Sequence, residues 1–188
     1  MNIKELNDKL QKNMLFTEYS ERKIVFGEGK THSPSVMLIG EAPGGSEEKE
    51  GRPFVGSAGK NLNEFLEALE LSREEIYITN VVKIRPFKLS PKTGSPVNRT
   101  PDKKETGFFC PYLLEEIEII KPEIIVTLGN TPLNALMGKE YLIGAYHGRL
   151  IKGNGGNIFP LYHPAAIIYN RSLKETYFED LKALKALL

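Results

Sequence analysis

Four short runs rich in Val, Ile and Leu constrain this chain more than any other feature: Val36–Ile39, Ile76–Val82, Ile124–Leu128 and Ile158–Tyr162. Apolar side chains on successive residues mark strands buried on both faces, and so a parallel sheet covered by helices. Between these runs the period changes. Leu62, Phe65, Leu66 and Leu69 form a helical stripe, and Tyr177, Leu181, Leu184 and Leu188 form another near the end. Ile3, Leu6 and Leu10 predict an amphipathic helix at the start. Asp102 is placed to cap a helix running past Tyr112, Leu113 and Ile117 to Ile120, with Pro122 ending it. Thr131-Pro132 predicts a short helix with Thr as cap and Pro at its first position. The alternation is that of an α/β fold, with a parallel sheet between two helical layers. At 188 residues and 40% hydrophobic, the chain is expected to form one domain, residues 1–188, with an unstapled core.

The residues at the carboxyl end of each run carry the chemistry, because α/β folds place ligands there. Val36–Ile39 runs into Gly40-Glu41-Ala42-Pro43-Gly44 and on to Gly51-Arg52-Pro53-Phe54-Val55-Gly56. The second run contains Asn80, and the fourth delivers Tyr162-His163-Pro164-Ala165-Ala166. An acid, an aromatic, an amide and an imidazole would then converge on one pocket, a set suited to a planar, hydrogen-bonding substrate. Gly40 and Gly44 let the backbone approach it closely, and Ala42 between them is a further candidate binding position.

The net charge of +1 hides an asymmetry. Lys83, Arg85, Lys88, Lys92, Arg99, Lys103 and Lys104 stand in one segment against the single acid Asp102. Such a patch binds phosphate backbone or is a solvated loop. Within it, Phe87–Pro101 carries Pro91, Gly94, Pro96 and Pro101 with no period and reads as a long loop. One cysteine, Cys110, excludes an intramolecular disulfide and fits a reducing compartment. Charges among the first residues and the lack of a long apolar run lead to the expectation of a soluble, cytoplasmic protein away from membranes.

In order and content, the motifs resemble the uracil-DNA glycosylase superfamily, most closely its family 4. The matching pieces are Gly40–Gly44, Gly51–Gly56 with Ala58-Gly59, Tyr77–Lys83, Asn98-Arg99-Thr100-Pro101, Leu128-Gly129 and His163-Pro164-Ala165. The resemblance implies a three-layer α/β/α fold around a four-stranded parallel sheet. It implies hydrolysis of the bond between uracil and deoxyribose, with the base flipped out of the helix to leave an abasic site. Uracil-containing DNA is the expected partner, and the protein is expected to act as a monomer.

The residue chemistry suits that reaction. One amide at Asn80 offers the donor and acceptor that match uracil O4 and N3–H and clash with cytosine. Phe54 is placed to stack on the base. His163 would donate to O2, where negative charge gathers; one such donor is worth roughly 3–4 kcal/mol. Either Glu41 or Glu47 orients the water and offsets charge on the sugar. Ser57, Lys60, Lys83, Arg85 and Arg99 are candidate phosphate contacts, with Asn170-Arg171 reaching toward a groove.

Two departures stand out. Family 4 holds a [4Fe–4S] cluster on four cysteines, and here only Cys110 remains, with Ile84, Lys12 and Leu15 at the other positions. No cluster is expected, and packing of Leu15 and Ile84 is expected to replace it. A related branch carries, in the loop corresponding to Phe87–Pro101, a histidine that links covalently to the sugar; here the loop has Asn98 and no histidine, so turnover is expected rather than trapping. Alternative readings are a glycosylase of wider range, taking hypoxanthine or xanthine, and an inactive DNA-binding paralogue.

Overall fold

The chain folds in the order α1 (Ile3–Met14), β1 (Glu28–Gly29), β2 (Val36–Gly40), α2 (Gly45–Glu50), α3 (Ser57–Leu69), β3 (Tyr77–Asn80), β4 (Phe87–Leu89) and β5 (Pro96–Asn98). It continues through α4 (Lys103–Ile120), β6 (Ile124–Leu128), α5 (Asn130–Met137), α6 (Ile143–Tyr146), β7 (Ile151–Gly153), β8 (Gly156–Leu161), α7 (Pro164–Tyr169) and α8 (Leu173–Lys185). The computed structural model describes residues 1–153 and 155–188, without the side chains of Ser57, Ala58, Asn61, Ile168 and Tyr169.

The four apolar runs become β3, β2, β6 and β8, neighbours in that order and parallel throughout. β1 and β7 add antiparallel edges, so the sheet has six strands where four were expected. The β1 edge is two residues long and carries no period to read.

Alternate residues of each strand face two cores. Met37, Ile39, Tyr77, Ile125 and Ile158 pack under α1 and α4, while Val36, Leu38, Ile78, Val126 and Phe159 pack under α3 and α8. The α4 start is a capping box, with Asp102 accepting from the Glu105 amide and Glu105 accepting from that of Asp102. Register then fixes the functional end. Gly40 pairs with Asn80, Ile39 with Thr127 and Leu128 with Leu161, so Glu41, Asn80, Gly129 and His163 emerge side by side.

Three expectations need correction. Phe87–Pro101 is not a featureless loop but a hairpin, β4 pairing antiparallel with β5 across a turn closed by Gly94 in the left-handed region, φ 68°. Its three-residue strands are too short to show alternation, and arginines reaching across to the Pro96 and Phe87 carbonyls hold the base. The helix expected to be capped by Thr131 begins two residues earlier, at Asn130, capped by Gly129 at φ 86°, and Thr131 lies inside it. A side chain at residue 129 would be strained by that backbone and would meet the His163 side chain. Finally, Leu15 is 63% exposed; the space beside the buried Ile84 is filled instead by Met14, Tyr19, Phe109 and Tyr112, with Phe108 packed against them.

Candidate active site

A cavity of about 470 Å³ opens at the carboxyl ends of β2, β3, β6 and β8. Its walls include Glu41, Ala42, Gly44, Glu47, Phe54, Asn80, Asn98, Gly129, Thr131 and His163, and its size is within the range of small-ligand sites. Asn80 is buried at the end of β3 with its amide against Gly40. Gly40 stands behind the wall: a Cβ there would overlap both Asn80 Oδ1 and the Phe54 ring.

Phe54 is buried and held in the left-handed region at φ 52°, a conformation non-glycine residues avoid unless their surroundings impose it. Arg73 imposes it. Its guanidinium donates to the carbonyls of Pro53 and Phe54, the latter at 3.1 Å, and pairs with Glu28 at 2.7 Å. Burial pushes the Glu28 carboxyl up, but hydrogen bonds from Arg52 and Arg73 outweigh it and hold the group below its ordinary value. Sequence reading missed Arg73 and Glu28, and nothing local to either could have signalled them.

The two acids separate by environment. Glu47 is buried, its oxygens accepting from the amides of Gly44 at 3.1 Å and Gly56 at 2.8 Å. It ties the two glycine loops together. Glu41 accepts from the Thr131 hydroxyl through Oε2 at 2.5 Å and is otherwise turned to the cavity.

His163 caps α7. Its Nδ1 accepts from the Ala165 amide at 3.1 Å, which places the proton of the neutral ring on Nε2. Burial lowers its pKa below the ordinary value, favouring that neutral form. The preceding Tyr162 packs at a tilt against His147, ring centroids 4.8 Å apart, and His147 Nδ1 lies 2.8 Å from Asp180 Oδ2 on α8, so the end of β8 is anchored from behind. Nothing in the sequence around His147 marks it for this role.

The candidate phosphate contacts fare unevenly. Lys83 is not at the surface: it is 3% exposed. Its ammonium donates to Glu116 at 2.5 Å, Thr79 Oγ1 at 2.5 Å and the Asn80 carbonyl at 2.8 Å. Tyr77 and Thr79 also donate to Glu116, completing a buried network beneath Asn80. Arg99 forks onto Glu105 and donates to the Phe87 carbonyl; Arg85 bonds Asn98, the Pro96 carbonyl and Glu48. Both are turned inward to hold the hairpin base. Lys60 is exposed on α3. Asn170 accepts from Ser172 beyond α7, and Arg171 lines a second cavity of about 420 Å³ beside α8. The Ser57 side chain lies outside the described residues.

The donors at the cluster positions do not suit iron. Lys12 and Leu15 are exposed, Ile84 is buried and apolar, and burial raises the Cys110 thiol pKa, disfavouring the thiolate a metal needs.

The model of the uracil DNA glycosylase superfamily matches residues 26–184. The chain is 41% identical over 176 residues to the type-4 uracil-DNA glycosylase of Saccharolobus solfataricus, covering 89% of this chain and 77% of that protein. It is 40% identical over 169 residues to the type-4 enzyme of Thermotoga maritima, covering 88% and 83%. In fold it is similar to SMUG2 of Pedobacter heparinus, with a TM-score of 0.56 at 15% identity over 82% of this chain and 76% of that one. The chain belongs to the uracil DNA glycosylase superfamily.

Proposed function

We propose that this member of the superfamily hydrolyses the N-glycosidic bond of uracil in DNA, flipping the nucleotide into the cavity and leaving an abasic site. The observation that carries the reading is the convergence of Asn80, Phe54, Glu41 and His163 on one cavity, with the His163 tautomer fixed by the Ala165 amide.

Asn80, buried and aimed by its position at the end of β3, reads the O4 and N3–H edge. Phe54 stacks on the ring. As the bond lengthens, electrons move onto uracil, and His163 Nε2–H meets the charge at O2 without transferring its proton. The sugar gains oxocarbenium character, and a carboxylate beside it stabilises that charge and directs water to the anomeric carbon. Glu41 takes this role, because the oxygens of Glu47 are engaged by two loop amides while Glu41 has an oxygen unclaimed by Thr131. No step requires a metal, and the protein works without an iron–sulfur cluster.

Release of free uracil from single-stranded, U:G and U:A oligonucleotides tests the reading, with cytosine, thymine and hypoxanthine oligonucleotides alongside. Uracil alone should be released. Release of hypoxanthine at a comparable rate would move the assignment to a wider deaminated-base enzyme.

A further inference from the structure

The hairpin β4–β5 stands at the rim of the cavity and plays no part in cleaving the glycosidic bond. Its base is clamped. Arg99 donates to the Phe87 carbonyl at 3.2 Å, Arg85 bonds Asn98 and Pro96, and Arg22 stacks on the Phe87 ring at 4.7 Å. Beyond the base, residues 88–98 are exposed except for the half-buried Ser90. Cross-strand partners share a face, so the pair Phe87–Asn98 and the pair Leu89–Pro96 lie on one face, with Lys88 and Val97 on the other. Asn98 is on the cavity wall, which puts Leu89 and Pro96 on the same face one pair further out. Leu89 is 62% exposed. Lys88, next to it in the chain but on the other face, and Lys92, in the turn, are also exposed, and no acid occurs between Lys83 and Pro101.

An exposed apolar pair on a rigid base, flanked by uncompensated lysines at the mouth of a base-flipping pocket, suits an apolar, stacked surface bordered by phosphates. We infer that the hairpin is a duplex-engaging element: Leu89 and Pro96 pack against the bases left at the step from which the nucleotide is withdrawn, while Lys88 and Lys92 hold the adjoining phosphates. The inference rests on the proposed excision of uracil. A single strand, whose base needs no withdrawal from a pair, makes no such demand.

Two variants test it, Leu89→Ser and Lys88→Gln/Lys92→Gln, with two readouts. In excision, Leu89→Ser should lower the rate on U:A duplex about tenfold or more while the single-strand rate stays within about twofold. In binding to an undamaged duplex, which requires no chemistry, the double lysine variant should flatten the slope of log K against log salt by about 1.8, the loss of two phosphate contacts. An unchanged salt slope together with unchanged duplex excision overturns the inference, as does an equal fall of Leu89→Ser on duplex and single strand. Were the wild type to excise nothing while the lysine variant still flattened the slope, the surface would stand and the excision reading would fall.

Discussion

Replacing Lys83 with methionine should be among the most damaging single changes available outside the cavity. The ammonium is 3% exposed, as is its partner carboxylate on Glu116, and its three hydrogens are all donated, to Glu116, Thr79 and the Asn80 carbonyl. Methionine fills similar volume but leaves the Glu116 carboxylate buried with only the Tyr77 and Thr79 hydroxyls. Removing one partner of a buried pair costs about 3–5 kcal/mol. In a chain of this size about 2–4 °C of melting temperature accompanies each kcal/mol, so thermal unfolding should shift down by roughly 6–20 °C. The double variant Lys83→Met/Glu116→Gln removes the orphaned charge while keeping an acceptor for Tyr77, and should recover most of the loss. Circular dichroism melts of wild type, both single variants and the double variant give the comparison. A loss below about 1 kcal/mol in Lys83→Met, the size of an exposed ion pair, would refute the reasoning.

The same geometry leads to other outcomes. His163→Ala should lower the excision rate about a hundredfold to a thousandfold, the cost of one donor to a developing anion, while loss of the α7 cap, about 1 kcal/mol, lowers the melting temperature by only about 2–4 °C. Burial keeps the His163 imidazole neutral below its ordinary value, so the acid limb of the rate profile should lie below pH 6.5; by linkage, below that pH the unfolded chain takes up a proton the folded one does not, and stability should fall with it. A rate that climbs as pH drops would contradict a neutral donor. Arg73→Met releases the left-handed Phe54 backbone, and kcat/KM should fall about tenfold, about 1.4 kcal/mol and within the cost of one strained residue. Cys110→Ala should leave melting temperature and excision near wild type in protein purified with a chelator; loss of a coloured, iron-bearing species on substitution would show that a cluster had been present.

The parts of the molecule legible in the sequence are those set by neighbours along the chain. Val36–Ile39 and Ile124–Leu128 read as buried strands because each carries apolar side chains on both faces. Asn80 and His163 could be placed at the pocket because each ends a strand of that kind, and Asp102 because a capping box is local. What escaped was set by distant partners. Lys83 reads as one more cation of a basic segment, and its burial is decided by Glu116, 33 residues away. Glu47 sits in the charge run Glu47-Glu48-Lys49-Glu50, the usual mark of a solvated face, yet the loop amides of Gly44 and Gly56 draw it inside. The hairpin has too few residues per strand to show alternation, and its pairing is enforced by Arg85 and Arg99 reaching across. Leu15 misled because its apolar character suggested packing, whereas the next turn of chain brings Tyr19 into that space instead.

Single-turnover excision of uracil from a single-stranded oligonucleotide, read as alkali-labile strand cleavage, tests the central claim most directly when wild type and Asn80→Ala are run together. The wild type should cleave at uracil and nowhere else, and the variant, still folded by its melting curve, should be slower by about a hundredfold or more. An oligonucleotide left intact by the wild type, or a variant as fast as the wild type, would contradict the account.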